Sequence, residues 1–310
     1  MFVGKLAYLI LFPGTVFVIA VGVAARAVTS GVGAAVAGPG RSGSPWSAAQ
    51  IVRCARTECV AAGGSLHGAM WVVPVFKLLA ISWASCIVLG FLGGDLVLLF
   101  ALLALAAGCD VFFAYISPNP RVQQQAWPEA VSLLAWAIPF ALVTCCVVLR
   151  TRAVSVSGLI AWQAANGSPL IGHAGGVTAD VGTFLALFAA LFSTVAITRL
   201  RPLGRGYTTG PGALLDDVSG PPLAFFLAGD VAMMFIAPLA IVTLFFAGSA
   251  AHWYQVVFWA LKVLGVLLLL GLIDVVSSRA GTRRVIAWGI CLGGGLALAG
   301  LILVWIGVKV

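Results

Sequence analysis

Six ionisable side chains could move protons in this chain, because they lie within long apolar runs or in a polar link between two of them. They are Asp216 and Asp217 in the link, and Lys77, Asp110, Asp230 and Lys262 in the runs. A charge inside an apolar interior is expensive, so each lysine needs a counter-charge or water, and Asp110 and Asp230 are the natural counter-charges. One interpretation is a set of structural ion pairs that hold helices together. The other is a hydrated proton path, since the pKa values of carboxylates and lysines shift readily in a dry interior.

The composition places these residues in a membrane. Of the 310 residues, 62% are hydrophobic and 8% are charged, and the mean hydropathy is +1.14. A soluble protein of this length could not bury so much apolar surface, so the composition indicates a polytopic membrane protein. No long polar region separates the apolar runs, and we therefore expect a single transmembrane domain over residues 1–310.

A spanning helix needs about 20 apolar residues, and eight runs of the sequence meet that length. We predict an all-α fold with about eight transmembrane helices near residues 6–28, 69–93, 95–116, 130–150, 180–200, 222–247, 253–277 and 285–308. The fourth loop, residues 151–179, is polar and contains glycine, so we expect it to lie outside the bilayer.

The orientation follows from the basic residues, which concentrate in the cytoplasmic loops of membrane proteins. Loops one, three, five and seven contain eleven arginines, namely Arg26, Arg41, Arg53, Arg56, Arg121, Arg199, Arg201, Arg205, Arg279, Arg283 and Arg284. The opposite side, with both termini, contains four basic residues, namely Lys5, Arg150, Arg152 and Lys309. This bias predicts that the odd-numbered loops are cytoplasmic and that both termini are outside, in a multi-pass protein of the cell's inner (cytoplasmic) membrane.

The first loop contains GPGRSGSPWSAAQIVRCARTE at residues 38–58. The GPGRSG stretch favours turns, and Ser44 or Ser47 could cap a short helix after it. From Trp46 onward, apolar and small residues alternate with Gln50, Arg53 and other polar residues. We expect a short interfacial helix under the bundle; the alternative is a surface loop.

Other classes of site have little support in the sequence. The three histidines His67, His173 and His252 are widely spaced in or beside loops, and no cysteine pattern completes a metal site, so no metal is expected here. No Gly-rich phosphate loop and no nucleophile–base pattern is present. The net charge of +8 is spread over short loops, which indicates topology and contact with lipid headgroups or a partner, and not nucleic-acid binding.

Three segments resemble the respiratory-chain complex I subunit 1 family. The stretch GPGRSG at 38–43 is similar to that family's Gly-Pro-x-Arg-x-Gly loop, and 217–220 (DVSG) to its Glu-Tyr-Ser-Gly motif. Asp230 then stands where the family has a Glu in the next helix. The stretch 258–289 resembles the family's helix with an internal Lys, followed by its Arg-Ala-x-x-x-Arg loop.

The departures from the pattern favour one branch of the family. The link before 217–220 reads GRGYTTGPGALL and has none of the family's usual glutamates, and Ala137 stands where a Glu precedes the proline of the fourth helix. The resemblance is therefore strongest to formate hydrogenlyase subunit 4 and to the membrane subunit of energy-converting [NiFe] hydrogenases. A subunit bordering a quinone site in a respiratory NADH dehydrogenase-like complex is an alternative.

The resemblance implies a non-catalytic membrane subunit that docks a cytoplasmic arm and couples electron transfer to ion translocation. The expected partners are a hydrogenase-like large subunit and an iron–sulfur small subunit on the cytoplasmic side, antiporter-like membrane subunits, and lipids. The iron–sulfur clusters and the NiFe centre would belong to those partners, with no cofactor in this chain. The expected docking residues are Arg41, Arg53, Arg56, Arg205, Arg279, Arg283 and Arg284, and the expected ion-path residues are Asp216, Asp217, Asp230, Lys77, Lys262 and Asp110.

A different class of protein is a stand-alone secondary transporter in which Asp230 and Lys262 couple ion and substrate movement. Many transporters of that kind contain internal repeats with broken helices at matching positions. The two halves of this sequence show no such repeat, which makes the transporter the weaker hypothesis.

Overall fold

A computed structural model describes residues 10, 14–37, 48–57, 67–117, 119–171, 176–200, 220–246, 253–276 and 285–309. These residues form eleven α-helices and one π-helical segment, and they contain no β-strand. In chain order the helices are α1 (Thr15–Ala37), α2 (Ala48–Arg56), α3 (His67–Val88), α4 (Leu96–Ile116), α5 (Pro120–Gln123), α6 (Ala126–Thr151), α7 (Val156–Asn166), α8 (Gly176–Ile197), α9 (Pro221–Phe246), α10 (Trp253–Val276) and α11 (Gly294–Lys309). The π-helical segment, Ile286–Gly293, leads directly into α11.

The described residues contain 8 helical stretches that are long and apolar enough to cross a bilayer. They are α1, α3, α4, α5 with α6, α8, α9, α10, and the π-helical segment with α11. The predicted fold class, an all-α polytopic membrane protein with about eight spans, is confirmed.

The first span ends later than the sequence predicts. Helix α1 continues to Ala37 and not to residue 28, so Arg26, which was counted with the first loop at the end of the predicted span, lies well inside a helix. The extension is compatible with a helix because residues 28–37 are apolar, small or hydroxylic. The hydroxyls of Thr29 and Ser30 donate hydrogen bonds of 3.0 Å to the carbonyls of Arg26 and Ala27, so they bury no unsatisfied group.

The fourth loop contains a helix that the sequence prediction missed. Helix α7 begins after Ser155, whose hydroxyl accepts a hydrogen bond from the Gly158 N–H at 3.1 Å and caps the helix. Its start is fixed to the start of α4, because the Leu96 N–H donates to the Val154 carbonyl and the Val156 N–H donates to the Gly94 carbonyl.

Helix α9 lies at the centre of the bundle, and nearly all its side chains from Ala224 to Phe245 are buried. It packs against α1, α2, α3, α8 and α10. A helix surrounded on all sides can be apolar all round, which explains why the sequence of α9 shows no polar face. Helices α1 and α10 lie at the periphery and leave most of their surface exposed.

Helices α6, α8 and α11 pack together on another side of the bundle. A Cβ on Gly182 of α8 would lie 2.7 Å from the Gly300 carbonyl oxygen of α11, and a Cβ on Gly300 would lie equally close to the backbone of α8. Small residues at such a crossing let membrane helices approach to backbone contact, which favours dispersion packing. Gly289 of the π-helical segment makes a similar close approach to Ala135 of α6.

The predicted short helix of the first loop is present as α2. It packs against α9, and its Ile51 and Cys54 contact a buried apolar cluster that includes Val73 of α3 and Phe226 of α9. Arg53 and Arg56, on the other side of α2, are exposed. Helix α2 therefore covers the bundle on the side of the odd-numbered loops, here called the odd-loop side.

Candidate functional site: a buried ion cluster

Lys77 is the centre of the candidate site. It lies in the middle of α3 with 1% of its side chain exposed, and its ammonium donates a hydrogen bond of 2.7 Å to Asp110 Oδ1 of α4. The same ammonium donates to Asp230 Oδ1 of α9. The Phe226 ring centroid lies 4.2 Å from Nζ, so the cation also contacts an aromatic face. Lys77 therefore joins three helices in an interior with little access to water.

The local sequence makes room for this lysine. Residue 229, next to Asp230, is a glycine, and a Cβ there would lie 3.2 Å from Lys77 Cδ. Helix α4 buries the face formed by Leu103, Ala106 and Asp110, at the three- and four-residue spacing that keeps side chains on one side of a helix. The carboxylate of Asp110 is thus directed into the bundle by an apolar stripe.

Arg199 extends the network from the end of α8. Its own N–H donates to the Ala196 carbonyl and the Leu200 N–H donates to the Val195 carbonyl, which is the Schellman pattern of helix termination. Arg199 occupies the left-handed position of that motif with φ 57°, a conformation that costs a non-glycine residue about 1 kcal/mol.

The guanidinium of Arg199 connects two carboxylates. It donates a hydrogen bond of 2.6 Å to Asp110 Oδ2 and one of 3.1 Å to Glu129 Oε1 near the start of α6. The side chains of Arg199, Asp110 and Glu129 are 13%, 7% and 10% exposed, so these are interior ion pairs. Charge-assisted bonds of this kind offset the loss of hydration that a buried charge suffers.

The five residues form one continuous chain in the order Asp230, Lys77, Asp110, Arg199 and Glu129, here called the ion cluster. Three carboxylates face two cations, so the fully ionised cluster has a formal charge of −1. The five helices that supply it enter or leave the membrane at the odd-loop side near these residues. The ion cluster therefore lies in the odd-loop half of the bundle and can accept one proton without acquiring net positive charge.

The two ends of the ion cluster differ in their polar surroundings. At one end, Asp230 Oδ2 is buried and has no hydrogen-bond partner among the described residues. At the other end, a cavity of about 20 Å³ is lined by Asp110, Glu129, Ser132 and Arg199, among others. That volume is enough for one water molecule, which needs polar partners such as these.

A second buried ion pair lies in the opposite half of the membrane. Arg150, near the end of α6, donates to Asp180 of α8, and also to Thr183 Oγ1 at 2.6 Å. Along α6 it is separated from Glu129 by twenty-one residues, or about 31 Å. Trp136, Phe140 and other buried apolar residues of α6 lie between them, so the middle section of this helix is mostly apolar.

The carboxyl end of α9 is held by polar side chains from three neighbours. Gln163 Nε2 of α7 donates to the carbonyls of Thr243 and Leu244, and Ser168 Oγ donates to that of Phe245. Lys262 Nζ of α10 donates to the Phe246 carbonyl at 2.7 Å. The last four carbonyls of a helix have no partner within it, and all four of α9 are satisfied in this way.

The structure brings together three of the sequence-predicted ion-path residues and separates one. Lys77 pairs with Asp110 and Asp230, as expected from their charges. Lys262 is exposed on α10, where its ammonium binds the end of α9 and not one of those carboxylates. The remaining predicted residues lie outside the described part of the chain, namely Asp216, Asp217, Arg41, Arg205, Arg279, Arg283 and Arg284.

The sequence prediction missed four charged residues of the interior. Arg199 and Arg150 were expected in loops, yet both side chains turn back into the bundle; Glu129 and Asp180 are their partners. With Arg26, Arg199 and Arg150 removed from the loop totals, the arginine and lysine bias is nine against three, which still favours cytoplasmic odd-numbered loops. All four residues lie within one or two turns of a helix end, and each arginine has an acidic residue near the end of another helix. These positions were a usable signal.

Comparison with known proteins gives a fold but no family. No protein-family model matches the sequence, and no curated protein matches it. The structure is similar to a chain of the membrane-bound sulfane sulfur reductase (MBS), an archaeal respiratory membrane complex, with a TM-score of 0.76. The similarity covers 94% of this chain and 98% of that chain at 17% sequence identity. The chain therefore shares the fold of a subunit of a respiratory membrane complex over nearly its whole length.

Proposed function

We propose that this chain is a membrane subunit of a multi-subunit redox complex of the energy-converting hydrogenase or formate hydrogenlyase type. It anchors a cytoplasmic arm that holds iron–sulfur clusters and a hydrogenase-like large subunit, and it takes part in coupling electron transfer to ion movement. The subunit itself is not catalytic, and the cofactors belong to its partners. The fold shared with a chain of an archaeal respiratory membrane complex supports the broad class, and the sequence motifs support the narrower type.

The ion cluster is the observation that carries the coupling role. Apolar residues of similar size are often as stable as buried ion pairs or more so, and five charged groups in an apolar bundle therefore favour a functional use of their charge. The chain from Asp230 to Glu129 is connected and has a formal charge of −1 when ionised. At one end a carboxylate oxygen has no hydrogen-bond partner among the described residues, and at the other end there is a cavity. A proton taken up at one carboxylate changes the pairing of every other member, which is how such a cluster can respond to a charge in a docked redox arm.

The odd-loop side is the proposed docking side. Helix α2 covers the bundle there, and its exposed Arg53 and Arg56 face away from the apolar contacts of Ile51 and Cys54. The ion cluster lies in the same half of the bundle, so a docked arm would be near it. By the basic-residue bias this side is cytoplasmic in the inner membrane, with both termini outside, and antiporter-like subunits adjoin the chain within the bilayer.

The first test is purification of the tagged chain in a mild detergent, followed by mass spectrometry of the proteins that accompany it. The expected result is a cluster-binding small subunit and a hydrogenase-like large subunit in stoichiometric amounts. A stable solitary monomer would refute the assignment to a redox complex.

The second test separates coupling from assembly. We expect Asp230→Asn to retain the partner subunits but to abolish ion-gradient formation in proteoliposomes that are driven by the complex's own redox reaction. The matched control is Asp95→Asn, since Asp95 is exposed at the start of α4 and makes no side-chain cap bond. A wild-type gradient in the Asp230→Asn variant would show that Asp230 has no role in ion transfer.

A further inference from the structure

Helix α10 has two sides with different surroundings. Its buried side, which includes Val263, Leu267 and Leu270, packs into the bundle, and Gly271 brings it close to the backbone of α1 near Thr29. The other side is exposed along the helix and is apolar at nearly every position, with Phe258, Leu261, Leu264, Leu268 and Leu272. Lipid tails alone would be enough to cover such apolar side chains.

Lys262 is the exception on this exposed surface. It is the tenth residue of α10, so its Cα lies about 13–14 Å along the helix axis from that of Trp253. Its ammonium donates to the carbonyl of Phe246, the last residue of α9. The turn of α9 that ends there is buried and covered by α7 through Gln163, whereas the hydrogen bond of Lys262 itself is exposed.

The ammonium has three N–H donors, and the described part of the chain supplies one acceptor for them. Lipid tails offer no acceptor, and a cation exposed to them is costly. A carboxylate on a facing helix would satisfy the remaining donors through charge-assisted hydrogen bonds, while the apolar residues above and below Lys262 would pack against that helix.

We propose that this exposed side of α10 is the docking surface for a transmembrane helix of a partner subunit, and that the helix presents a carboxylate to Lys262. The inference rests on the proposed function, which requires membrane partners. A second copy of the chain in parallel is a poor occupant, because it would place one Lys262 opposite another. The acidic residue of α10 itself, Asp274, lies twelve residues away, or about 18 Å along the helix.

The test uses the wild-type complex in its native membrane, treated with dicyclohexylcarbodiimide, an apolar reagent that joins a carboxylate to an adjacent amine. The expected product is an amide between Lys262 and an Asp or Glu in a transmembrane segment of another polypeptide, identified by mass spectrometry. In a Lys262→Met variant, the amount of that polypeptide that co-purifies should fall at least about tenfold. With Leu261→Met on the same surface, the amount should equal that of the wild type. Lys262→Glu, combined with a lysine at the identified partner position, should restore retention.

The outcomes separate the docking proposal from the proposed function. If redox subunits accompany the wild-type chain but Lys262 yields no protein cross-link and Lys262→Met keeps every membrane subunit, the docking proposal is refuted. If Lys262→Met releases an anionic lipid and no protein, the docking proposal is also refuted, and the lysine binds a lipid headgroup. If the cross-link forms but no redox subunit is present, docking stands and the redox assignment fails. Because the cross-link is made on the wild-type chain, a poorly folding variant does not block the test.

Discussion

Arg199 offers a test in which two structural effects have opposite signs. Replacing it by methionine removes both ion pairs, leaving Glu129 without a charged partner among the described residues and Asp110 with Lys77 alone. Breaking a buried ion pair at one partner costs about 3–5 kcal/mol. Replacing it by glycine removes the same pairs but relieves the left-handed backbone at φ 57°, which is worth about 1 kcal/mol. We therefore expect Arg199→Gly to lose about 2–4 kcal/mol, roughly 1 less than Arg199→Met.

The assay is reversible unfolding of the purified chain in mixed micelles, by titration with sodium dodecyl sulfate and followed by tryptophan fluorescence. Adding Glu129→Gln to Arg199→Met should recover part of the loss, because an uncompensated buried charge is removed, and the double-mutant cycle measures that coupling. The reasoning is refuted if Arg199→Met is as stable as wild type, or if the glycine variant is the less stable of the two.

Three further predictions use the same unfolding assay. Lys77→Met should cost about 3–5 kcal/mol because it leaves Asp230 without a charged partner among the described residues and Asp110 with Arg199 alone. Adding Asp230→Asn should restore part of that stability, and no recovery would mean that the two residues are not coupled. Gly182→Ala should cost about 1–3 kcal/mol, since its Cβ would lie 2.7 Å from a carbonyl oxygen of α11. Gly31→Ala is its control, with open space around the new Cβ, and should be neutral or slightly stabilising. Gln163→Leu should cost about 1–3 kcal/mol by leaving two buried carbonyls of α9 unsatisfied, and wild-type stability would mean that water replaces the amide.

Local hydrogen bonds of hydroxyl side chains explain why the ends of helices were harder to predict than their presence. Residues 28–37 and α7 contain small and hydroxylic residues, whose conformational preferences favour neither a loop nor a helix. Ser155 caps α7 and so favours a helix there, whereas the hydroxyls of Thr29 and Ser30 are satisfied by carbonyls of their own helix. Such bonds depend on backbone geometry, which composition does not specify.

The pairing of charges was predictable in part. The cost of an isolated buried ammonium was enough to expect carboxylate partners for Lys77, and Asp110 and Asp230 are those partners. The position of Arg199 near a helix end was a usable signal but not a decisive one, because an arginine at the end of an apolar run ordinarily reaches water. Its guanidinium lies in the bundle, where Asp110 and Glu129 are within hydrogen-bond distance.

The sequence by itself determined the membrane, the number of spans and the helical class, because each follows from the length and hydropathy of single segments and from the need to satisfy every backbone group within the bilayer. The tertiary structure decided which charges meet. Lys77 and Lys262 are equivalent as internal lysines of apolar helices, yet Lys77 joins the ion cluster and Lys262 holds the end of α9 on an exposed side. The difference arises from which face of each helix packs against α9, and that depends on contacts between segments as far as 153 positions apart in the chain.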